Sequence, residues 1–484
     1  MRVVALMTQR LGDFVQATPL LRGIMAGHPD ATLRIAYHDL SVGEASGLFF
    51  PGAQTARLRG SDLRGGLDSQ GLGKADLLVN VSMGMLNMWL VWYLGPKSII
   101  GPRLQEGVPH VTRGQGLALA AMFLNRRLGR LNLVDIWRSY QQGSPAKLEA
   151  PRLEGIPGDL LSKLKTLDTD SAHANGPLVA VHLGAGARLR RYPAEDMAQA
   201  LAIAREKIPL RVALLGTQRE RALTLRFLST YATLAPGAPA VGLAGETSVA
   251  SLAALLGKAD LLVSSDTGVA HLGASVGTRL LTMFFGPALC HETAPYSDRI
   301  TCLQGIAPCG PCVEGRDCGR PKCLALPPSG LLGDLIVRVL GKGGNRILGD
   351  APAKGGHPGF AVKDQGSGSV FETWESGPLA GSQNLLPVEP SPAALTDTQL
   401  TALIFRKAAI GLLFGRESGD CAFLESELLR YRETGWLRDY DAVGKDLNCI
   451  AENGLLENDR EAFLDHAMAL LDYFKQRKGK TWNA

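Results

Sequence analysis

The chain has 484 residues, 45% of them hydrophobic and 20% charged, with 57 glycines and a formal net charge of +5. That length exceeds what one hydrophobic core organises, so two or three domains are expected, and the apolar content excludes a disordered chain. The mild positive charge suits a phosphate-bearing ligand or an anionic membrane surface. No dense Lys/Arg run with interleaved aromatics occurs, which argues against nucleic acid.

In chain order, RVVALM at Arg2–Met7 reads as a buried strand. The N-terminus has no apolar stretch of about 7–15 residues before a small-residue cleavage site, so the expected compartment is the cytoplasm. A loop and a helix over residues 13–26 follow, then short apolar runs at Thr32–Tyr37 (TLRIAY) and residues 76–81 (DLLVNV). Strands apolar on both faces and separated by helices predict a parallel sheet covered on both sides. Residues 83–94 (MGMLNMWLVWYL) fit a crossover helix and are too short for a membrane span of about 20 residues, and Ser98–Ile100 fits a short strand.

A second α/β segment begins near Pro177. Its strand candidates are residues 178–181, 211–215, 261–264 and 280–284, with helices at residues 194–207 and 248–256 between them. The polar stretch 168–176 (DTDSAHANG) reads as the connection between the two segments. Residues 341–395 are rich in Gly, Pro and Ser and read as a flexible linker. Helical patterning returns at Thr396, which has Gln399 at capping-box spacing, and again at Asn458 with Glu461. The expected division is 1–167, 168–340, a linker over 341–395, and a small helical domain over 396–484.

Four places carry chemistry. The loop after the first strand, Thr8-Gln-Arg-Leu-Gly-Asp13, lies where open α/β sheets bind ligands. Gly12 permits close backbone approach there, and Asp13 is either a helix cap or a base. Leu261 to Ala274 (LLVSSDTGVAHLGA) places Asp266, Thr267 and Gly268 between a strand and a helix N-terminus, where backbone N–H groups and the dipole favour an anion. His271 stands one turn further on. Residues 181–193 (VHLGAGARLRRYP) set Gly184 before Arg188 and Arg190, whose guanidinium forks suit a diphosphate. After the next strand, Glu220 is a candidate acceptor for ribose hydroxyls. Each also has a plainer reading, as cap, packing glycine, core histidine or solvated turn.

The fourth place is Cys309, Cys312, Cys318 and Cys323, spaced C-x2-C-x5-C-x4-C. Four thiolates can close a tetrahedral site for zinc or hold iron. The alternative is reduced structural or redox-active thiols. Cys290, Cys302, Cys421 and Cys449 are scattered and read as core residues.

Taken in order, these loops resemble glycosyltransferase family 9, the ADP-heptose:lipopolysaccharide heptosyltransferases. The resemblance rests on RLGDFVQATPLLRGI, on HLGAGARLRRYP, and on the block LAGETSVASLAALLGKADLLVSSDTGVAHLGASVGTRLLTMFFGP with its DTG-x-x-H core. It covers about residues 1–340. Where relatives carry lysine and then Trp-Pro, this chain has Arg190 and Tyr192. The resemblance implies two facing Rossmann-like lobes, the GT-B arrangement, with the active site in the cleft. It implies a nucleotide-diphosphate-sugar donor, ADP-heptose by preference, held through Arg190, Asp266, Thr267, Gly268 and His271. Asp13 would be the base of an inverting transfer that needs no cofactor, with a lipid-linked saccharide of the lipopolysaccharide core as acceptor. Trp89, Trp92 and Tyr93 are then candidates for peripheral contact with the inner membrane, against a core-facing alternative. A protein acceptor, or a non-catalytic nucleotide-sugar-binding protein with a partner-recruiting tail, are the competing readings.

The cysteine spacing makes a prediction of its own. Protein purified without added metal is expected to carry about one zinc or iron per chain, lost when the four cysteines are replaced. Elemental analysis checks it, and a metal content near zero with four freely titrating thiols removes the site.

Overall fold

A computed structural model describes residues 1–58, 71–105, 108–110, 132–141, 148–168, 176–306, 326–341, 362–363, 370–377, 384–387 and 467–468. The first lobe starts with β1 (Arg2–Met7), α1 (Leu11–Gly27), β2 (Thr32–Tyr37), α2 (Leu40–Phe49) and β3 (Gln54–Arg57). It continues with β4 (Leu77–Asn80), α3 (Met85–Leu94) and β5 (Ser98–Ile100). A small antiparallel pair, β6 (Arg103–Gln105) and β7 (Val108–His110), and the helix α4 (Leu133–Arg138) follow. The five large strands are all parallel in the order β3-β2-β1-β4-β5. β1 is central because its residues from Val3 to Met7 are buried, which only a strand covered on both faces tolerates.

The second lobe repeats the winding. After α5 (Gly158–Lys165) come β8 (Leu178–His182), α6 (Ala194–Lys207), β9 (Arg211–Leu215), α7 (Arg221–Leu234) and β10 (Ala240–Gly242). Then follow α8 (Val249–Leu256), β11 (Leu261–Ser265), α9 (Gly268–Ser275), β12 (Leu280–Phe284), α10 (Cys290–Thr293), β13 (Ile300–Ile306) and α11 (Ser329–Gly341). The parallel order β10-β9-β8-β11-β12-β13 is again a doubly wound one. Two Rossmann-like lobes are thus present, as expected.

The stretch expected to be a flexible linker is not structureless. It contains β14 (Val362–Lys363), β15 (Val370–Gly377) and β16 (Asn384–Pro387). β15 runs antiparallel along β13 from Ile306↔Val370 to Thr301↔Glu375, and carries β14 and β16 on its other edge. The Gly/Pro/Ser composition around it hides VFETWESG, a short segment of strand-prone residues that pairs because β13 otherwise ends the sheet. Of the expected helical domain only Ala467 and Met468 are described. Both are helical, and they pack on the first hydrophobic core.

The outer face of each sheet has its own core, one around Leu78, Leu90 and Val91, the other around Met197, Phe227 and Leu335. A third, continuous core joins α1, α2 and α4 to α8 and α9 across the lobes. Polar contacts fix the same junction. Asn132 donates to the Ala294 carbonyl (3.0 Å), and Glu44 accepts from the Val249 N–H (3.0 Å) at the head of α8. Tyr296 donates to Asp135 (2.6 Å), and Arg138 reaches both Asp135 and the Tyr296 oxygen (3.1 Å each).

The pairing of β15 makes the tail testable. A chain ended at Gly344 loses β15 and bares the β13 edge, so it is expected to melt lower and to self-associate. One ended near Pro390 keeps the pairing and should do neither. Thermal denaturation and size-exclusion chromatography of the two distinguish them; equal melting and a monomer in both would show that β15 contributes nothing to the sheet.

Candidate active site

The site forms where the first helix of one lobe meets a short helix of the other. On the first side, β1 ends at Met7 and α1 begins at Leu11, with Arg10 as N-cap. Asp13 therefore sits at the third position of the helix, one turn inside the cap, and its Oδ2 accepts from the Arg10 N–H (3.3 Å). Thr8 donates to Asn87 (2.5 Å), which donates to Asn80 (3.2 Å), so the loop is tied to α3 and β4. Burial pushes the Asp13 carboxyl above its ordinary value. Asp266 adds to the rise, while His271 and the Arg10 N–H oppose it.

On the second side, β11 delivers Asp266 and Thr267 to the start of α9. Asp266 is buried and accepts from the Thr293 hydroxyl (3.0 Å). Arg190 Nη1 lies 3.7 Å from its Oδ2, and His271 Nε2 lies 3.8 Å from its Oδ1. A carboxylate that faces both cations holds them in one place. His271 Nδ1 is buried with no hydrogen-bond partner, an expensive arrangement that a ligand acceptor would relieve.

The two sides touch through glycines. A Cβ on Gly12 would come 2.9 Å from His271 Cδ2, and one on Gly268 would come 3.1 Å from the Gly12 nitrogen. Neither position has room for a side chain, so the positive ends of two helices are brought to one point.

The third loop closes the site from β8. Arg188–Arg190 form a turn of 3-10 helix. Arg190 is turned inward towards Asp266, whereas Arg188 is exposed. Arg191 donates to the Ala185 carbonyl (3.1 Å) and closes the turn. Tyr192, at the position where relatives have tryptophan, is buried, stacks on Phe285 and donates to the Pro327 carbonyl (2.8 Å). Its side chain is therefore structural. Arg10 crosses from the first lobe to lie over Gly186, where a Cβ would meet its Nη1 at 2.5 Å. Glu220 accepts from the Thr217 N–H (2.7 Å) and hydroxyl (2.9 Å), and lies over Gly184.

Gly12, Asp13, Arg190, Asp266, Gly268 and His271 thus form one cluster. Gly184, Glu220 and Thr267 form a second, adjoining group around His182. Arg188 stands apart at the surface. Cys309, Cys312, Cys318 and Cys323 lie outside the described residues. Among the described residues no group of three or more His, Cys, Asp or Glu could hold a metal ion, and Cys290 and Cys302 are buried thiols.

Several contributors escaped the sequence reading. His182 lies inside a motif read for its glycines and arginines. Thr293 and Asn87 had no local signal. Asp135 and Arg138 did have one, because an ion pair at i,i+3 within the apolar run LVDIWR is unusual unless both charges are buried together.

Comparison with known proteins bears on the fold that carries this site. The family model "Glycosyltransferase family 9 (heptosyltransferase)" matches residues 112–321. No curated protein matches the sequence. Among solved structures, the glycosyl transferase family 9 protein from Veillonella parvula is 17% identical, with a TM-score of 0.52, over 70% of this chain and 97% of that one. The ADP-heptose lps heptosyltransferase II of E. coli is 14% identical over 70% of this chain and 99% of that one (TM-score 0.49). The E. coli heptosyltransferase WaaC with ADP is 16% identical over 70% and 100% (TM-score 0.46). The matched residues supply α4, the whole parallel part of the second lobe and its DTG-x-x-H loop, and over that part the chain is similar to glycosyltransferase family 9 (heptosyltransferase) proteins.

Proposed function

We propose that the protein is an inverting transferase that moves a heptose or related sugar from a nucleotide-diphosphate sugar, ADP-heptose by preference, to a saccharide of the lipopolysaccharide core. The observation that carries this reading is the meeting of Asp13 with Arg190, His271 and the head of α9. A base and a diphosphate site lie there on opposite sides of one junction. Asp13 takes the proton of the acceptor hydroxyl, whose oxygen bonds to the anomeric carbon from the face opposite the leaving group. The bond from that carbon to the diphosphate oxygen breaks, and the nucleoside diphosphate leaves with the electron pair. Arg190 and the α9 N-terminus stabilise its growing charge. Gly184 and Glu220 stand where the ribose would follow the diphosphate along β8 and β9. The first lobe, residues 1–167, then receives the acceptor, and the second, residues 168–340, the donor.

The acceptor is lipid-linked in this reading, and α3 offers a surface for it. Trp92, Met85 and Leu86 are 63%, 58% and 55% exposed, while Trp89 and Tyr93 stack on each other and pack partly on the core. Such an apolar face rests at a membrane surface rather than within it. Among the described residues no helix is long and apolar enough to cross a membrane. The enzyme then works on the cytoplasmic side of the inner membrane.

The donor site predicts that Arg190→Ala and His271→Ala each weaken nucleotide-diphosphate-sugar binding by ~1–3 kcal/mol, the loss of a hydrogen bond to a charged group. Calorimetry measures it, and unchanged affinity in both variants moves the phosphates elsewhere.

For Asp13→Asn, turnover is expected to fall by about 10²–10⁴-fold, the usual contribution of a positioned base, with donor affinity little changed. Because the Asp13 pKa is raised in the folded protein, ionising it costs stability as pH rises from the unfolded-state value through the folded one. The variant should therefore melt no lower than the parent at neutral pH. The acid limb of kcat/KM should lie above the ordinary carboxylate value of 3.8. A transfer assay beside thermal melting tests this, and near-normal turnover ends the catalytic assignment.

A further inference from the structure

We propose that His182 is a positioning residue of the donor site, taking up a proton when the donor's diphosphate binds and thereby turning the Thr267 hydroxyl towards that diphosphate. The inference rests on the donor reading above and adds to it a residue and a proton.

The geometry starts with an uncapped helix. Thr267 is the N-cap of α9, yet its side chain makes no capping hydrogen bond, although threonine at that position ordinarily bonds the backbone of its own helix. Its Oγ1 lies instead 3.3 Å from His182 Nδ1. His182 ends β8, is buried, and has its other nitrogen, Nε2, 3.6 Å from Glu220 Oε2. Glu220 reaches that spot only because residue 184 is glycine. A Cβ there would lie 1.6 Å from Glu220 Oε1 and 3.0 Å from His182 Nε2. Thr267 itself is partly exposed at the junction.

Proton accounting then decides what the hydroxyl can do. The Glu220 carboxyl is held down at about 2. Burial works against its charge, but the imidazole of His182 beside it and the Thr217 donors outweigh it. As a carboxylate it only accepts, so His182 Nε2 carries a proton. With a neutral ring, Nδ1 is an acceptor, the Thr267 proton is spent on it, and Thr267 turns lone pairs towards any ligand. With a doubly protonated ring, Nδ1–H donates to Thr267 Oγ1, and the hydroxyl proton is released to a phosphate oxygen. The anion and the proton therefore favour each other.

The charged groups around this ring are few. β9 and β11 place uncharged Leu215 and Ser264 beside it. Glu220 faces it from the turn before α7. Beyond Thr267 stand Asp266 with Arg190 and His271, and Asp13 approaches from α1. Of these, Asp13 and His271 are the other titratable groups at the junction that the test must separate from His182.

The test uses the full chain and three diphosphate diesters, ADP-glucose, UDP-glucose and GDP-mannose, which do not themselves titrate near neutral pH. Calorimetry is run from about pH 6 to 8, where histidines change charge, in two buffers of different ionisation enthalpy. The diester that binds should weaken by about tenfold across that range, with close to one proton taken up at the alkaline end. His182→Asn, whose amide cannot take up a proton near neutral pH, should bind with no pH slope. Thr267→Val should bind weakly at every pH without a slope, Thr267→Ser should restore the slope, and Asp13→Asn should leave it in place. Flat affinity in the parent, or a slope that survives in both His182→Asn and Thr267→Val, overturns the proposal while the donor reading stands. Failure of all three diesters to bind at any pH overturns both. Should His182→Asn not fold, the proton count in the parent and the Thr267 pair still decide.

Discussion

Everything distinctive about this molecule depends on two helices meeting end to end. α1 and α9 belong to different lobes, and their first turns touch with no side chain between Gly12 and Gly268. Each N-terminus carries the partial positive charge of its unpaired N–H groups, so bringing two together costs energy unless negative charge is near. Asp13 and Asp266 supply it on the protein's side. Burial above all, with a smaller part from the Asp266 charge, raises the Asp13 carboxyl. The same electrostatics that make the junction tolerable also leave it suited to a ligand anion.

The junction is held by apolar packing and by a buried ion pair, and the two do different things. The continuous core linking α1, α2 and α4 to α8 and α9 is non-directional and tolerates sliding. The group of Asp135, Arg138 and Tyr296 does not. Both charges are nearly inaccessible, and each bond in the group has one favourable direction. Burying such a pair brings little net stability, but separating its members would leave an unpaired charge in the core. Its effect is to fix where residues 293–296 sit against α4. Since Thr293 also donates to Asp266, the angle between the lobes and the position of Asp266 are set by the same few residues.

Strands β14 to β16 extend the sheet of the second lobe, and β16 also touches α10, which carries Thr293. A doubly wound sheet normally ends at an edge strand, and β13 would be that edge. β15 covers it, with β14 and β16 outside, on the side of the sheet away from β10.

The sequence by itself determined the doubly wound class, the position of each loop that meets at the junction, and half of the sixteen described strands to within a residue. Those features are local: a run such as Val3–Met7 is apolar throughout because both sheet faces are covered, and no distant residue is needed to read that. Asp266, Thr267, Gly268 and His271 were legible for the same reason, being contiguous. Only the tertiary structure decided which side chains share a site. Arg190 and Arg188 are alike in sequence, but a single turn of 3-10 helix points one inward and leaves the other exposed. His182, Thr293 and the Asp135–Arg138 pair act through partners tens to more than a hundred residues away, and contacts of that kind leave no periodicity in the chain. The strand at Val370–Gly377 was misjudged on the composition around it, because pairing depends on an open edge that exists only once the sheet is built.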